Sequence, residues 1–341
     1  MTAMGARVFV IAEAGVNHNG EASLARALVD AAAGAGADAV KFQTFTADRL
    51  VTRRAPKAEY QQRTTGGEAG QHAMLRALEL SPADHEALLL HCQARSIEFM
   101  STPFDPESAM YLKRLGVRRL KISSGDVTDL PMLEVVAGLG LPVLLSTGMA
   151  DMEEVQAAVQ TLRRGGCTDL TLLQCVSNYP AEPFLANLRV MDTYARAFGT
   201  PVGLSDHSTG LTVAIAAAAR GACCIEKHFT LDRSLPGPDH QASLLPAELA
   251  ALVRAIREVE AALGDGIKRP APSELAVRQV ARKSLVAARD LPAGTVLGPE
   301  HLAILRPGTG LPPGRLAHVL GRRTARAIAA ETPITEEMLV P

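Results

Sequence analysis

Two polar triplets, Ser205-Asp206-His207 and Glu226-Lys227-His228, each follow a short apolar run, Val202–Leu204 and Cys223–Ile225. The runs read as buried strands, and the Ala-rich segment Leu211–Arg220 between them reads as a helix. A strand–helix–strand unit brings both strand ends to one rim, so His207 and His228 are expected to converge there. Two imidazoles on neighbouring strand ends can share a divalent metal and leave positions open for water or substrate. Taken alone, the pair also fits two unrelated polar caps, and the rest of the chain must decide.

The other strand ends carry a matching chemistry. Lys41 and Lys121 each adjoin apolar strand residues, with small hydroxyl residues such as Thr102, Ser124 and Ser146 at neighbouring exits. Lysines in that position suit a phosphate, or a phosphate with a carboxylate, because an ammonium left unpaired among apolar residues is costly. Glu13 and Glu226 are the candidate acid/base groups, since burial and neighbours tune a carboxylate. Either carboxylate could equally serve to hold a lysine or a histidine.

These residues need a scaffold, and the chain supplies a repeating one. Apolar runs at Val8–Ala12, Ala39–Phe42, Ile97–Met100, Arg119–Ile122, Val143–Leu145, Leu170–Leu173, Val202–Leu204 and Cys223–Ile225 alternate with segments of helical periodicity. The last helix, Pro246–Leu263, starts on a proline and is followed by Gly264. Eight such units predict an α/β fold, a (β/α)₈ TIM barrel, with function at the strand exits. No Gly-x-Gly-x-x-Gly turn follows the first run, which disfavours a doubly wound sheet. The predicted organisation is a barrel over 1–265, a Pro/Gly-rich linker over 266–280 and a small β-rich domain over 281–341.

The 341 residues are 47% hydrophobic with a formal charge of −1, which excludes a disordered chain and the electrostatic footprint of a nucleic-acid binder. No apolar run approaches the ~20 residues of a membrane span, and the start has no leader-like apolar region. The five cysteines have no CxxC spacing and read as small core residues in a reducing compartment. A cytoplasmic enzyme is the expectation.

With the motifs in order, the chain resembles the N-acetylneuraminate (sialic acid) synthases, a family that includes legionaminate and pseudaminate synthases. The resemblance is carried by Ile11-Ala-Glu-Ala-Gly-Val-Asn-His-Asn-Gly, Lys41-Phe-Gln-Thr, Ser101-Thr-Pro-Phe, Lys121-Ile-Ser-Ser-Gly-Asp and Leu145-Ser-Thr-Gly-Met. It continues through Gln174-Cys-Val-Ser-Asn-Tyr-Pro, Gly203-Leu-Ser-Asp-His, Glu226-Lys-His-Phe-Thr and Pro236-Gly-Pro-Asp-His. The last segment, with Arg306-Pro-Gly-Thr-Gly, resembles the family's antifreeze-like (SAF) domain of β-clip type.

That resemblance implies condensation of phosphoenolpyruvate with an N-acyl amino sugar, giving a nine-carbon 2-keto acid and phosphate. It implies a divalent metal on His207 and His228, usually Mn²⁺, with Mg²⁺ or Co²⁺ as substitutes. Phosphoenolpyruvate is expected on Lys41, Thr102, Lys121, Ser124, Ser146, Asn178 and Ser205. The sugar is expected on Gln43, Asp126, Tyr179 and Asp239, with Arg306 reaching over from the partner of a domain-swapped homodimer. Many bacterial members have Glu where this chain has Asp126, whereas animal members, which use a 6-phosphorylated sugar, have Asp. N-Acetylmannosamine is the first expectation for the sugar, and a 2,4-diacetamido-trideoxyhexose of the legionaminate or pseudaminate route is the second.

Overall fold

Alternation of inward and outward side chains along eight short strands builds the larger part of the molecule. The computed structural model describes residues 7–66 and 70–341, so the opening residues read for the absence of a leader lie almost wholly outside the described residues. Two compact units divide the chain, Met1–Asp265 and Gly266–Pro341.

In the first unit the strands are β1 (Phe9–Gly15), β2 (Ala39–Thr44), β3 (Glu98–Pro103), β4 (Leu120–Ile122), β5 (Val143–Ser146), β6 (Leu170–Cys175), β7 (Val202–Asp206) and β8 (Cys224–His228). They pair in parallel in the order β3-β2-β1-β8-β7-β6-β5-β4, and β3 packs beside β4 to close the ring. This is the expected TIM barrel. The outward set, including Val10, Ala12, Val40, Phe42, Leu172 and Ile225, meets the helices in the main core. The inward set begins with an apolar floor of Ile11, Ala39, Met100, Leu144, Leu173 and Cys224. Two residues further along each strand, the same face carries Glu13, Lys41, Thr102, Ser146, Cys175 and Glu226. A dry plug therefore lies directly beneath a polar layer.

The strands run further than their apolar runs predict. Strand β1 continues through Glu13 to Gly15, and β8 through Glu226 to His228. Polar residues can extend a strand here because ladder pairing continues, with Glu13 opposite both Lys41 and His228 in register. The helices start where side chains satisfy the free amides of their first turns. Asp105 accepts from Ser108 N at 2.8 Å, and Asp151 accepts from Glu153 N and Glu154 N at 2.9 Å each. Between β2 and β3 lie three short helices, Ala47–Leu50, Glu59–Thr65 and Gln71–Arg76, that periodicity does not reveal.

In the second unit, β9 (Ser284–Ala287) pairs antiparallel with β10 (Leu302–Leu305), and β11 (Arg323–Thr324) with β12 (Leu339–Val340). Leu285, Leu291, Leu297, Val319, Ile328 and Ile334 form its core. Within the stretch read as linker, Glu274–Ala281 is helical. No helix among the described residues is long and apolar enough to cross a membrane.

Gly203 shows how tightly the barrel floor is filled. A Cβ there would lie 2.4 Å from the Cys224 carbonyl oxygen and 2.7 Å from Leu173 Cδ2. The first of these is ladder backbone and cannot swing aside. Gly203→Ala is expected to lower the unfolding free energy by about 1–3 kcal/mol, read from urea titration, and an unchanged midpoint would show that the floor has slack.

Candidate active site

The polar layer closes on two lysines and two glutamates, each no more than 4% exposed. Lys41 Nζ lies 2.7 Å from Glu13 Oε2, donates to Thr102 Oγ1 at 2.7 Å, and stands 3.9 Å from Glu226 Oε2. Lys121 Nζ lies 3.6 Å from Glu226 Oε1 and donates to the Ile122 carbonyl at 3.1 Å. Ser205 Oγ donates to Glu226 Oε1 at 2.9 Å. Each carboxylate thus holds a lysine inside the candidate site, one of the two readings left open by the sequence.

The two carboxylates behave differently. Burial pushes Glu13 up to about 7, Lys41 opposing and the Glu226 charge adding to the rise. Burial also works against ionised Glu226, but Lys121, Lys41 and the Ser205 hydroxyl together hold it below the usual range. Two carboxyls pushed apart in this way can take different proton roles.

The histidines meet as expected, with ring centroids 5.3 Å apart. His207 Nδ1 donates to the Val176 carbonyl at 2.7 Å, so in the neutral ring the lone pair is on Nε2. Burial lowers His228 far below its usual value, helped by His207 and Lys41, and among the described residues its buried Nδ1 has no hydrogen-bond partner. Burial also opposes charge on His207, but Cys175, the Val176 carbonyl and Glu226 outweigh it and raise the pKa. A neutral imidazole with an orphaned nitrogen, beside one whose tautomer is set, fits a divalent cation. Among the described residues no set of three or more His, Cys, Asp or Glu side chains is grouped to hold a metal, so a cation here would take its remaining ligands from water or substrate.

Behind the histidines a buried ion pair fixes the register of β7 and β8. Asp206 and Lys227 are Cα partners, and Lys227 Nζ lies 2.7 Å from Asp206 Oδ2 and donates to the Ser208 carbonyl at 2.5 Å. Asp206 Oδ1 accepts from both the amide and the hydroxyl of Ser208.

A cavity of about 410 Å³ opens above the charge cluster. Of the residues singled out in the sequence, Glu13, Lys41, Gln43, Thr102, Lys121, Ser124, Ser146, Tyr179, Ser205, His207, Glu226 and His228 line it. Asn178 is exposed and does not line it, although Ser177 and Tyr179 on either side do. Asp126 and Asp239 are also outside the lining. Asp126 is pushed up to about 7 by burial and by Asp129, with Lys121 opposing, and Asp239 to about 6 by burial. Arg306 belongs to the second unit, where it is exposed beside Lys283, Leu305 and Glu331 at an open depression.

Other lining residues escaped the sequence reading. Cys175, read as a core cysteine, faces the cavity with Sγ 3.7 Å from His207 Nδ1. Counting two residues on from the inward Leu173 would have found it. Tyr60 and Gln71 come from the helices between β2 and β3, and Phe104 and Met149 from loops after strands. Their positions depend on tertiary packing and carry no local signal.

Barrel and site define a class of enzyme in which a buried lysine pair and a histidine pair share the C-terminal mouth of a (β/α)₈ barrel, with a SAF unit following. Residues 28–268 match the model of the NeuB family, and residues 282–340 match that of the SAF domain. The chain is 48% identical to the N,N'-diacetyllegionaminic acid synthase of Legionella pneumophila, over 96% of this chain and 94% of that protein. It is 44% identical to the enzyme of the same name from Campylobacter jejuni, over 93% and 95%. Among solved structures, an N-acetylneuraminic acid synthetase from Leptospira borgpetersenii in complex with citrate superposes with a TM-score of 0.70 at 36% identity, covering 80% of this chain and 90% of that one. The chain belongs to the NeuB family of nonulosonic acid synthases, enzymes that condense phosphoenolpyruvate with an amino sugar.

Removing the lysine of the Asp206–Lys227 pair tests the register lock. Lys227→Met leaves the Asp206 carboxylate buried without its cation and is expected to cost about 3–5 kcal/mol of stability. Adding Asp206→Asn should recover most of that loss in chemical denaturation, and equal stability of the single and double variants would contradict the pairing.

Proposed function

We propose that this protein condenses phosphoenolpyruvate with a non-phosphorylated 2,4-diacetamido-trideoxyhexose of the legionaminate type, releasing phosphate and a nonulosonic acid. The observation that carries this reading is the distribution of charge in the cavity. Among the described residues Lys41 and Lys121 are the lysines that line it and no arginine joins them, and both stand within strands, β2 and β4. A phosphoenolpyruvate trianion needs both lysines, which leaves no lysine or arginine of the lining for a sugar phosphate. Towards the mouth the walls are Tyr60, Tyr179, Phe104 and Met149, surfaces suited to acetamido and C-methyl groups. The names of the relatives at 48% and 44% identity point the same way. N-Acetylmannosamine therefore gives way to the diacetamido sugar as first choice.

In this reading phosphoenolpyruvate lies on Lys41, Thr102, Lys121, Ser124, Ser146 and Ser205, with Asn178 at the edge. Binding would draw the lysines away from the two glutamates. Ser146 Oγ is buried without a partner and is available to such a ligand. Gln43 and Tyr179 would face the sugar, whereas Asp126 and Asp239, outside the cavity lining, would bear on it only indirectly. His207 and His228 would hold a divalent cation, Mn²⁺ by preference, which polarises the sugar aldehyde when bound. Glu226, kept ionised by the lysines, holds them in place. Glu13, pushed up to about 7, is suited to take a proton from the water that adds to carbon 2 before phosphate leaves. The assembly we favour is a cytoplasmic, domain-swapped homodimer in which Arg306 closes the partner's barrel.

A phosphate-release assay across a panel of amino sugars, with product masses, tests the activity. The diacetamido-trideoxyhexose should give the highest kcat/KM, and a clear preference for N-acetylmannosamine or a sugar phosphate would refute the substrate assignment. Lys121→Ala should weaken phosphoenolpyruvate by roughly 10–100-fold, the loss of a charge-assisted bond in a dry site, and leave the KM for the sugar nearly unchanged. Chelation should abolish turnover without unfolding the barrel, because the core rather than the ion supplies stability. Mn²⁺ should restore it, and full turnover by metal-free protein would contradict the cation's role.

A further inference from the structure

The segment between β2 and β3 places one aromatic side chain in the cavity, and the structure locks it there. Lys57 Nζ is buried and donates to Thr65 Oγ1 at 2.9 Å and to the Gly66 carbonyl at 2.8 Å. Gln62 Nε2 donates back to the Lys57 carbonyl at 2.8 Å, and Gln61 Oε1 accepts from Ala58 N at 3.0 Å. These bonds tie both ends of the short helix Glu59–Thr65 to each other, and Tyr60 projects from its first turn.

The Tyr60 ring stacks on Tyr179 at 5.1 Å and 22°, and Tyr179 in turn lies 4.1 Å from His207 and 5.7 Å edge-on from His228. An aromatic column thus runs outward from the histidine pair. The column does not include the lysines, which come from β2 and β4. Its outer member is therefore placed to meet the substrate that fills the mouth rather than the anion bound at the strand ends. The Tyr60 hydroxyl accepts a long bond from Gln61 Nε2 at 3.3 Å, and among the described residues its own proton has no acceptor. An apolar ring face with a free donor at its edge is suited to a sugar that carries methyl groups beside carbonyl and hydroxyl oxygens.

We propose that Tyr60 positions the sugar, its ring forming the apolar wall for the substituents that distinguish a diacetamido-deoxy sugar from N-acetylmannosamine. This rests on the activity proposed above and names the residue that confers its sugar preference. N-Acetylmannosamine offers hydroxyls at carbons 4 and 6 where the diacetamido sugar offers an acetamido group and a methyl. A ring face rewards the second pair and gains little from the first.

Steady-state kinetics of the full-length, Mn²⁺-loaded wild type, Tyr60→Phe and Tyr60→Ala with both sugars decides the matter. Tyr60→Ala is expected to lower kcat/KM for the diacetamido sugar about 10–100-fold, mainly through the sugar KM, as for a lost buried apolar side chain. The loss with N-acetylmannosamine should stay within about threefold, as should any change in the KM for phosphoenolpyruvate. Tyr60→Phe keeps the ring but loses the hydroxyl donor, so it should weaken both sugars alike and keep the wild-type preference between them. An unchanged sugar preference in Tyr60→Ala, or an equal rise in the KM for phosphoenolpyruvate, overturns the assignment. If the wild type uses only N-acetylmannosamine, the substrate reading fails separately. The role of Tyr60 then stands or falls on whether Tyr60→Ala raises the KM for that sugar about tenfold or more while phosphoenolpyruvate is unaffected.

Discussion

Four ionised or ionisable side chains, Glu13, Lys41, Lys121 and Glu226, share a buried layer at the top of the barrel, and the site depends on their mutual compensation. Any one of them alone on the floor of Ile11, Met100, Leu144 and Leu173 would pay a desolvation cost that short apolar strands cannot offset. Glu13 pairs with Lys41 on the neighbouring strand and Glu226 with Lys121 across the barrel, so they hold one another in place. The same pairing makes the site responsive to an anion. A ligand with several negative charges can replace the glutamates as partner to the lysines, and Glu13, pushed up to about 7 by burial, can take up a proton as it gives up its ion pair.

Strand geometry explains why this layer forms where it does. Side chains alternate along β-strands, so one apolar inward residue per strand followed two positions later by a polar one stacks a reactive layer on a dry plug. Ladder register then sets the distances. Glu13 lies opposite Lys41 on one side and His228 on the other, so a lysine and a histidine flank the same carboxylate by construction. The Asp206–Lys227 pair performs the same service on the far side of β8, where a slip of one residue would turn both histidines out of the barrel.

The outer half of the cavity is built differently. Tyr60, Tyr179, Phe104 and Met149 come from loops and short helices beyond the strand ends. Loop residues can change without disturbing the barrel, so the outer wall can vary while the strand-borne layer stays as it is.

The sequence by itself determined the barrel, its eight strands and the polar residues at their exits, because burial and two-residue alternation are local patterns. It also marked His207, His228, Lys41, Lys121, Glu13 and Glu226, whose charges or ring nitrogens are conspicuous next to apolar runs. Every barrel strand but β4 runs past its apolar run, since hydropathy ends where polar inward residues begin while hydrogen bonding continues. Only the tertiary structure decided that each glutamate pairs with a lysine and that Tyr60 stacks on Tyr179. Those are contacts between residues up to more than a hundred positions apart, and no local propensity encodes them. They arise when barrel closure brings the segment after β2 over the ends of β6 and β7.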